Sequence, residues 1–434
     1  MREPDPQRMT ISDGAHSIGR REFIGLLAVM MAVVALSVDL MLPAFGDIRA
    51  EFGLASDSNA LAGLITFYLL GLALAQVVYG VLSDRYGRRP IIYAGLAIYI
   101  AGAAASALAP TLEWLLVARF LWGVGAAAPR VITLSVVRDT HQGDQMAKVM
   151  SFIMAIFILV PVFAPTLGAL ITDWLTWRGM FGFTVVAAVA VWLWALRLPE
   201  TLRPENRRSR GWAQVVRAGQ TVVTTRSTMA YTVALTFMFG VFASYLATSE
   251  LIFSDVFGRG KQFPVIFGAV ASVMGVGMLI NGRLVERFGL VRLIRSVTIA
   301  YLAVTAGLVV LAITTGGIPN FWIFAAGLMM AFVCHALLIP NINSAAMTPM
   351  GAVAGTASAV TGTLSLTGGA LIGAVIDRSF DGTVTPLSIG FLVCGMGAWV
   401  FTRLAQSPPA RRAAKVDVPV FDHLQPESGT AGID

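Results

Sequence analysis

Twelve apolar stretches limit what this chain can fold into: 22–45, 58–82, 91–109, 112–136, 147–172, 179–198, 229–253, 263–285, 292–314, 319–345, 352–376 and 386–405. Each is long enough to cross the roughly 30 Å hydrocarbon core of a bilayer as a helix. Inside lipid, backbone N–H and C=O groups must be satisfied within the segment, which leaves helices as the solution for such spans. Only 13% of the residues are charged, about half the share in soluble domains, and mean hydropathy is +0.76. The sequence therefore predicts a polytopic, all-α membrane protein. Most loops are short, so spans adjacent in sequence become antiparallel neighbours.

Lys and Arg placement sets the orientation. With the N-terminus inside, 24 of the 31 Lys and Arg residues fall on the inner side. Only Arg49, Arg178, Arg259, Lys261 and Arg378 fall outside, and Arg119 and Arg130 lie within a span. Such a bias predicts both termini in the cytoplasm. It also accounts for the net charge of +7 as topology, with membrane lipids rather than nucleic acid as the neighbours. Cys334 and Cys394 both sit in apolar runs and suggest neither a disulfide nor a metal site. The first apolar run lacks a small-residue cleavage site after it, so it reads as a retained helix. The expected division is a cytoplasmic tail (1–21), a six-helix bundle (22–198), a cytoplasmic central loop (199–228), a second six-helix bundle (229–405) and a cytoplasmic tail (406–434).

The turn between spans 2 and 3 reads Gly80-Val81-Leu82-Ser83-Asp84-Arg85-Tyr86-Gly87-Arg88-Arg89-Pro90. A weaker copy, Gly282-Arg283-Leu284-Val285-Glu286-Arg287-Phe288-Gly289, returns 202 residues later. A repeat at half the chain length, in the same kind of turn, predicts two related halves. The first copy resembles the signature loop of the major facilitator superfamily. That resemblance implies twelve transmembrane helices in two pseudo-symmetric six-helix bundles around a central cavity. It also implies a conformational latch at Gly80, Asp84, Arg85, Gly87, Arg88 and Arg89, with Asp84 at the positive N-terminal end of helix 11.

Ionisable residues inside a span cost roughly 2.5–3.5 kcal/mol each at mid-helix, so each needs a reason. Asp39 lies about two turns from the outer end of span 1, with Pro43 one turn beyond it. A buried carboxylate can bind and release a proton, because low dielectric disfavours its charged form; an acid at a helix end reaching the surface is the simpler alternative. Arg119 opens Arg119-Phe120-Leu121-Trp122-Gly123-Val124-Gly125-Ala126-Ala127-Ala128, whose small residues let helices approach closely. The run resembles the superfamily's helix-4 motif, with Trp122 where glutamine is common. Arg130 follows eleven residues on, about 16 Å higher and only about 20° round the helix. The two arginines thus form one stripe, able to attract anionic groups or hold acids ionised; Arg130 alone can also extend to the inner surface. Glu250, near the outer end of span 7 beside Tyr245, reads as a site for a cation or second proton, or as a helix cap. His335 reads as a core histidine or a relay. Asn341 and Asn343 in span 10 are amides that a polar substrate could use.

Span 5 holds Pro161, Pro165 and Gly168. The prolines kink a membrane helix and free carbonyls. The pattern resembles the helix-5 antiporter motif of the bicyclomycin/chloramphenicol-resistance branch, with Ala164 where glycine is usual. Leu198-Pro199-Glu200-Thr201-Leu202, Arg138-Asp139 and Trp177-Arg178-Gly179 are similar to the same branch. Span 11, with Gly351, Gly355, Gly369 and Gly373, is expected to pack on span 2 near Gly80. The resemblance implies a proton-driven multidrug exporter in the bacterial inner membrane, working as a monomer with protons, a small-molecule substrate and lipids as partners and no cofactor. A transporter of a polar or anionic metabolite and a non-transporting membrane sensor are the alternatives. His-Glu-x-x-His, Gly-x-Ser-x-Gly and phosphate-loop patterns are absent, so an enzyme is not expected.

Overall fold

The structure, a computed structural model, describes residues 18–55, 58–202, 205 and 211–406. The expectations for most of the 1–21 tail, for 407–434 and for 203–204 and 206–210 of the central stretch lie outside the described residues. The helices of the first half are α1 (Arg20–Asp39), α2 (Phe45–Glu51), α3 (Ala62–Tyr86), α4 (Arg88–Ala107), α5 (Leu112–Thr140), α6 (Gly143–Trp174) and α7 (Trp177–Ala195). An amphipathic helix, α8 (Gly211–Thr224), lies in the central stretch. The second half consists of α9 (Arg226–Leu251), α10 (Phe263–Phe288), α11 (Leu290–Thr314), α12 (Phe321–Met347), α13 (Ala354–Arg378) and α14 (Thr385–Gln406). Among the described residues, twelve helices are long and apolar enough to cross a membrane, α1 and α2 together making the first.

The internal repeat extends to backbone conformation. Gly87 ends α3 and begins α4 at φ 104° and ψ 162°, and Gly289 does the same between α10 and α11 at φ 79° and ψ 148°. Both turns need positive φ to reverse the chain with one residue, which glycine adopts freely. In the first half, α5 sits between α3 and α4. A Cβ on Gly123 would lie 2.0 Å from the Tyr68 carbonyl oxygen, and one on Gly125 2.2 Å from the Tyr99 nitrogen. The small-residue face of span 4 therefore packs backbone to backbone against both neighbours.

Span 11 packs on span 2 as expected, but not through Gly369 and Gly373 or at Gly80. Gly80 faces open space, and Gly369 and Gly373 press on Phe239 and Ala243 of α9. The contact of α13 with α3 lies elsewhere: Gln76 Nε2 donates to Thr363 Oγ1 at 2.9 Å, and Thr363 Oγ1 donates to the Ala73 carbonyl at 3.1 Å. The glycine spacing identified a close-packing face but not which helix it meets.

Candidate functional site

α1 stops at Asp39 because Pro43 has no N–H to donate to the Asp39 carbonyl four residues back. The chain crosses Leu40–Met41, makes a 3-10 turn over Leu42–Ala44, and resumes as α2 to Glu51. The span therefore runs twelve residues past Asp39, roughly 18 Å of helix rise. This corrects the sequence expectation of two turns: the polar Gly46–Glu51 segment is helical and carries the first span further. Asp39 is 4% exposed. Among the described residues no cation lies within ion-pair distance of its carboxylate. The Leu42–Ala44 turn that follows it packs against α9, so Asp39 stands near where the two halves meet.

Gly168 of the helix-5 motif lies on the same break. A Cβ there would fall 2.0 Å from the Leu40 carbonyl oxygen. Gly168→Ala must push α6 away from the turn that follows Asp39, and such overpacking costs about 1–3 kcal/mol. The expected result is a lower thermal unfolding midpoint in detergent together with impaired function; an unchanged midpoint would show that the turn yields easily. Pro161 and Pro165 lie about two turns and one turn before Gly168 in α6. Between them, Val162 meets the second half, its carbonyl oxygen 2.8 Å from where a Cβ on Gly268 would be.

Arg119 is completely buried. Nη1 donates to the Ser37 carbonyl at 2.9 Å and Nε to the Leu64 carbonyl at 3.2 Å. Its guanidinium lies over the rings of Tyr68 (4.6 Å) and Trp122 (4.8 Å), while Nη2 has no partner. Two carbonyls and two aromatic faces thus stabilise a buried cation with no acid beside it. Trp122 carries this load because it is itself wedged edge-on among Tyr68, Tyr99 and Phe181. Arg130, half-buried, makes no ion pair among the described residues.

The second half holds a cluster of buried aromatic side chains on α9, α10 and α12. Tyr245 stacks on Phe267 (centroids 5.5 Å, 12°) and leans on Phe332 at 4.5 Å, its hydroxyl unpartnered. His335 packs between Phe242 and Phe332, and neither ring nitrogen has a partner. That is the placement of a core histidine. Asn341 pairs with Asn281 of α10: each side-chain nitrogen donates to the other's oxygen, at 2.7 and 3.3 Å.

Glu250 is neither a helix cap nor a cavity group here. It is 5% exposed and paired with the equally buried Arg49 of α2 at 2.9 Å, across the two halves. Nearby, Asn59 Nδ2 donates to the Asp377 carbonyl at 2.5 Å, also across the halves. The two halves are thus pinned together at the end that carries Arg49 and Asn59. Sequence reading missed Arg49 by placing it in a loop, and Asp377 by ending span 11 at 376. Gly369, Gly373 and Asp377 share a four-residue spacing, and extending that stripe by one turn would have found the acid.

The Gly80–Pro90 turn closes on its own half. Asp84 pairs with Arg88 (2.6 Å), and Arg88 Nε reaches Asp139 at 2.8 Å. Arg89 donates to Tyr93 Oη, and Arg85 lies over the Tyr86 ring. Glu200, after α7, accepts from the Arg88 and Arg89 backbone N–H groups at 2.9 and 3.1 Å. Its carboxylate satisfies the free donors at the positive end of α4. That explains an acid just past span 6.

The chain is similar to known transporters over most of its length. It is 29% identical to the chloramphenicol resistance protein of Pseudomonas aeruginosa, covering 81% of each. It is 25% identical to a bicyclomycin resistance protein homolog of Haemophilus influenzae, over 86% of this chain and 93% of that protein. The crystal structure of a D-xylose-proton symporter superposes with a TM-score of 0.70 at 13% identity, covering 88% of this chain and 98% of that one; this likeness speaks to the fold alone. The family model of the Major Facilitator Superfamily matches residues 27–374, so the chain is an integral membrane transporter that belongs to that superfamily.

Proposed function

We propose that the protein exports small, mostly apolar compounds in exchange for protons, from a bacterial inner membrane with both termini in the cytoplasm. One observation carries the reading: a buried carboxylate without an ion-pair partner, Asp39, at a helix break whose turn packs against α9, the helix on which Tyr245 stacks with Phe267 and Phe332. Aromatic walls bind apolar molecules through area and ring geometry without fixing one substrate. The relatives named for resistance to chloramphenicol and bicyclomycin support the same substrate class. Asn341, one of the two amides open to a polar metabolite, is paired with Asn281 instead. With the outer end closed, substrate enters from the cytoplasmic side while Asp39 is ionised. After the outer end opens, a proton binds Asp39, substrate leaves, and the neutral site returns inward. A membrane potential contributes about 2.3 kcal/mol per charge per 100 mV.

The test is proton movement into proteoliposomes under an imposed pH gradient, with hydrophobic drugs and polar metabolites added in turn. Drug-triggered proton flux supports the reading; flux triggered only by metabolites, or none with any compound, overturns it.

In this cycle Arg49 and Glu250 act as the outer gate. Removing one partner of a buried ion pair costs about 3–5 kcal/mol because the other charge is left uncompensated. Arg49→Ala is therefore expected to raise the outer-open population at least about 100-fold, and the exchange Arg49→Glu with Glu250→Arg to restore closure. Labelling of an introduced outer-side cysteine measures both. Equal labelling in wild type and Arg49→Ala would remove the gate role.

A further inference from the structure

Asp377 is a buried carboxylate that the cycle above does not use. It sits in the last turn of α13, 3% exposed, and Oδ1 accepts from Ser244 Oγ at 2.7 Å. Oδ2 is buried without a partner. Asn59, which crosses from the other half to donate to the Asp377 backbone carbonyl, also has an unpartnered buried atom, its side-chain oxygen Oδ1. Two residues already in contact thus each hold a buried acceptor and lack a donor. Buried acceptors left unmatched cost about 1–3 kcal/mol each. A single hydrogen on Asp377 Oδ2 turns one of the two acceptors into a donor.

Among the described residues no cation pairs with Asp377; the neighbouring Arg49 is held by Glu250 and the Ser58 carbonyl. From α9, Glu250 is committed to Arg49 and has Asp255 beside it, and Tyr245 stacks in the aromatic wall. On α13 itself Arg378 is exposed; in the following loop Asp381 is exposed and accepts from Thr383. The outer halves of α3, α12 and α14 contain no Asp, Glu, Lys or Arg. α8 packs on α13 at its other end.

We propose that Asp377 is a second proton-binding site, in the second half, filled when the outer interface closes and emptied when it opens. The inference rests on the alternating transport cycle proposed above. On closing, an O–H bond forms at Oδ2 with a proton from the outer water, and the carboxylate goes from −1 to neutral. On opening, the same bond breaks and the proton returns to water; no other bond changes. External acid then favours the closed outer end. Glu250 works in the opposite sense, because protonating it weakens the Arg49 pair and favours opening. The sign of the pH response separates the two.

The experiment measures the distance between spin labels at Glu113→Cys and Lys261→Cys, exposed outer positions in the two halves. Both native cysteines are buried. The background is full-length Asp39→Asn protein in nanodiscs, so that Asp39 does not titrate. One proton on closing gives a closed-to-open ratio that rises by up to about tenfold per pH unit as pH falls. Asp377→Asn, which supplies a permanent neutral donor of nearly the same shape, is expected to hold the ratio at its acid limit with no slope. Asn59→Ala removes the acceptor and is expected to move the midpoint down by about one pH unit. An unchanged slope in folded, monodisperse Asp377→Asn overturns the proposal. So does a slope of opposite sign that Glu250→Gln abolishes, or a midpoint that Asn59→Ala leaves in place. Wild-type proton flux in liposomes is scored separately: its absence overturns the transport reading, whatever the labels report.

Discussion

Asp39→Asn is expected to leave a folded, monodisperse protein whose substrate-driven proton flux is at least about 10-fold lower, the factor that corresponds to about 1.4 kcal/mol. Asn keeps the shape and polarity of the side chain and removes its titration. No cation pairs with Asp39 among the described residues, so the change orphans no buried charge, the usual reason such substitutions unfold proteins. The helix break survives as well, since Pro43 causes it and the carboxylate does not. Two assays separate coupling from binding. Substrate exchange between equal pools needs no net proton movement and should continue, whereas uphill export driven by a pH gradient should stop. Wild-type uphill export by Asp39→Asn would remove Asp39 from the proton path.

The sequence made the membrane class, the span count and the repeat legible because each rests on periodicity or composition, which bilayer thickness and backbone satisfaction enforce locally. The twin turns at Gly87 and Gly289 share positive φ as well as similar letters, a case where one residue type has one steric explanation. Partners were harder to read. Arg49 looked like a loop arginine because Gly46–Glu51 is polar, yet that segment is the helical end of span 1 and meets Glu250, 201 residues away in sequence. Pairings at that separation depend on how the halves dock, which no local pattern encodes. Asp377 was one residue outside an apolar window, and windows end where charge begins, so a buried acid at a helix terminus is the feature they discard. The Gly369 and Gly373 stripe was legible as a close-packing face, while its partner, α9, was a tertiary choice.

Arg119 carries the other large expected effect. Arg119→Ala removes two charge-assisted hydrogen bonds to carbonyls, each worth about 1.5–3 kcal/mol, and leaves a void beneath Tyr68 and Trp122. Together these predict a loss of several kcal/mol and little recoverable protein. The informative change is Arg119→Lys. A lysine keeps the charge but reaches with one ammonium where the planar fork now spans the Ser37 and Leu64 carbonyls, and it cannot stack flat on two rings. Ser37 lies two residues before Asp39 on the last turn of α1, so a shift of that turn is felt at once by the guanidinium, and its unpartnered Nη2 is available to a carboxylate that moves toward it. If Arg119 only braces α1 against α3, Arg119→Lys lowers the unfolding midpoint and leaves the pH profile of transport in place. If it also tunes the charge of Asp39, the single lysine ammonium, no longer spanning both carbonyls, draws the cation away from the last turn of α1 and moves the pH midpoint of drug-driven proton flux upward, because a carboxylate facing less positive potential holds its proton to higher pH. The second outcome is the one expected, with a shift of about one unit, which corresponds to about 1.4 kcal/mol. A destabilised Arg119→Lys protein with an unmoved pH midpoint would reduce Arg119 to a strut and leave Asp39 to couple protons alone.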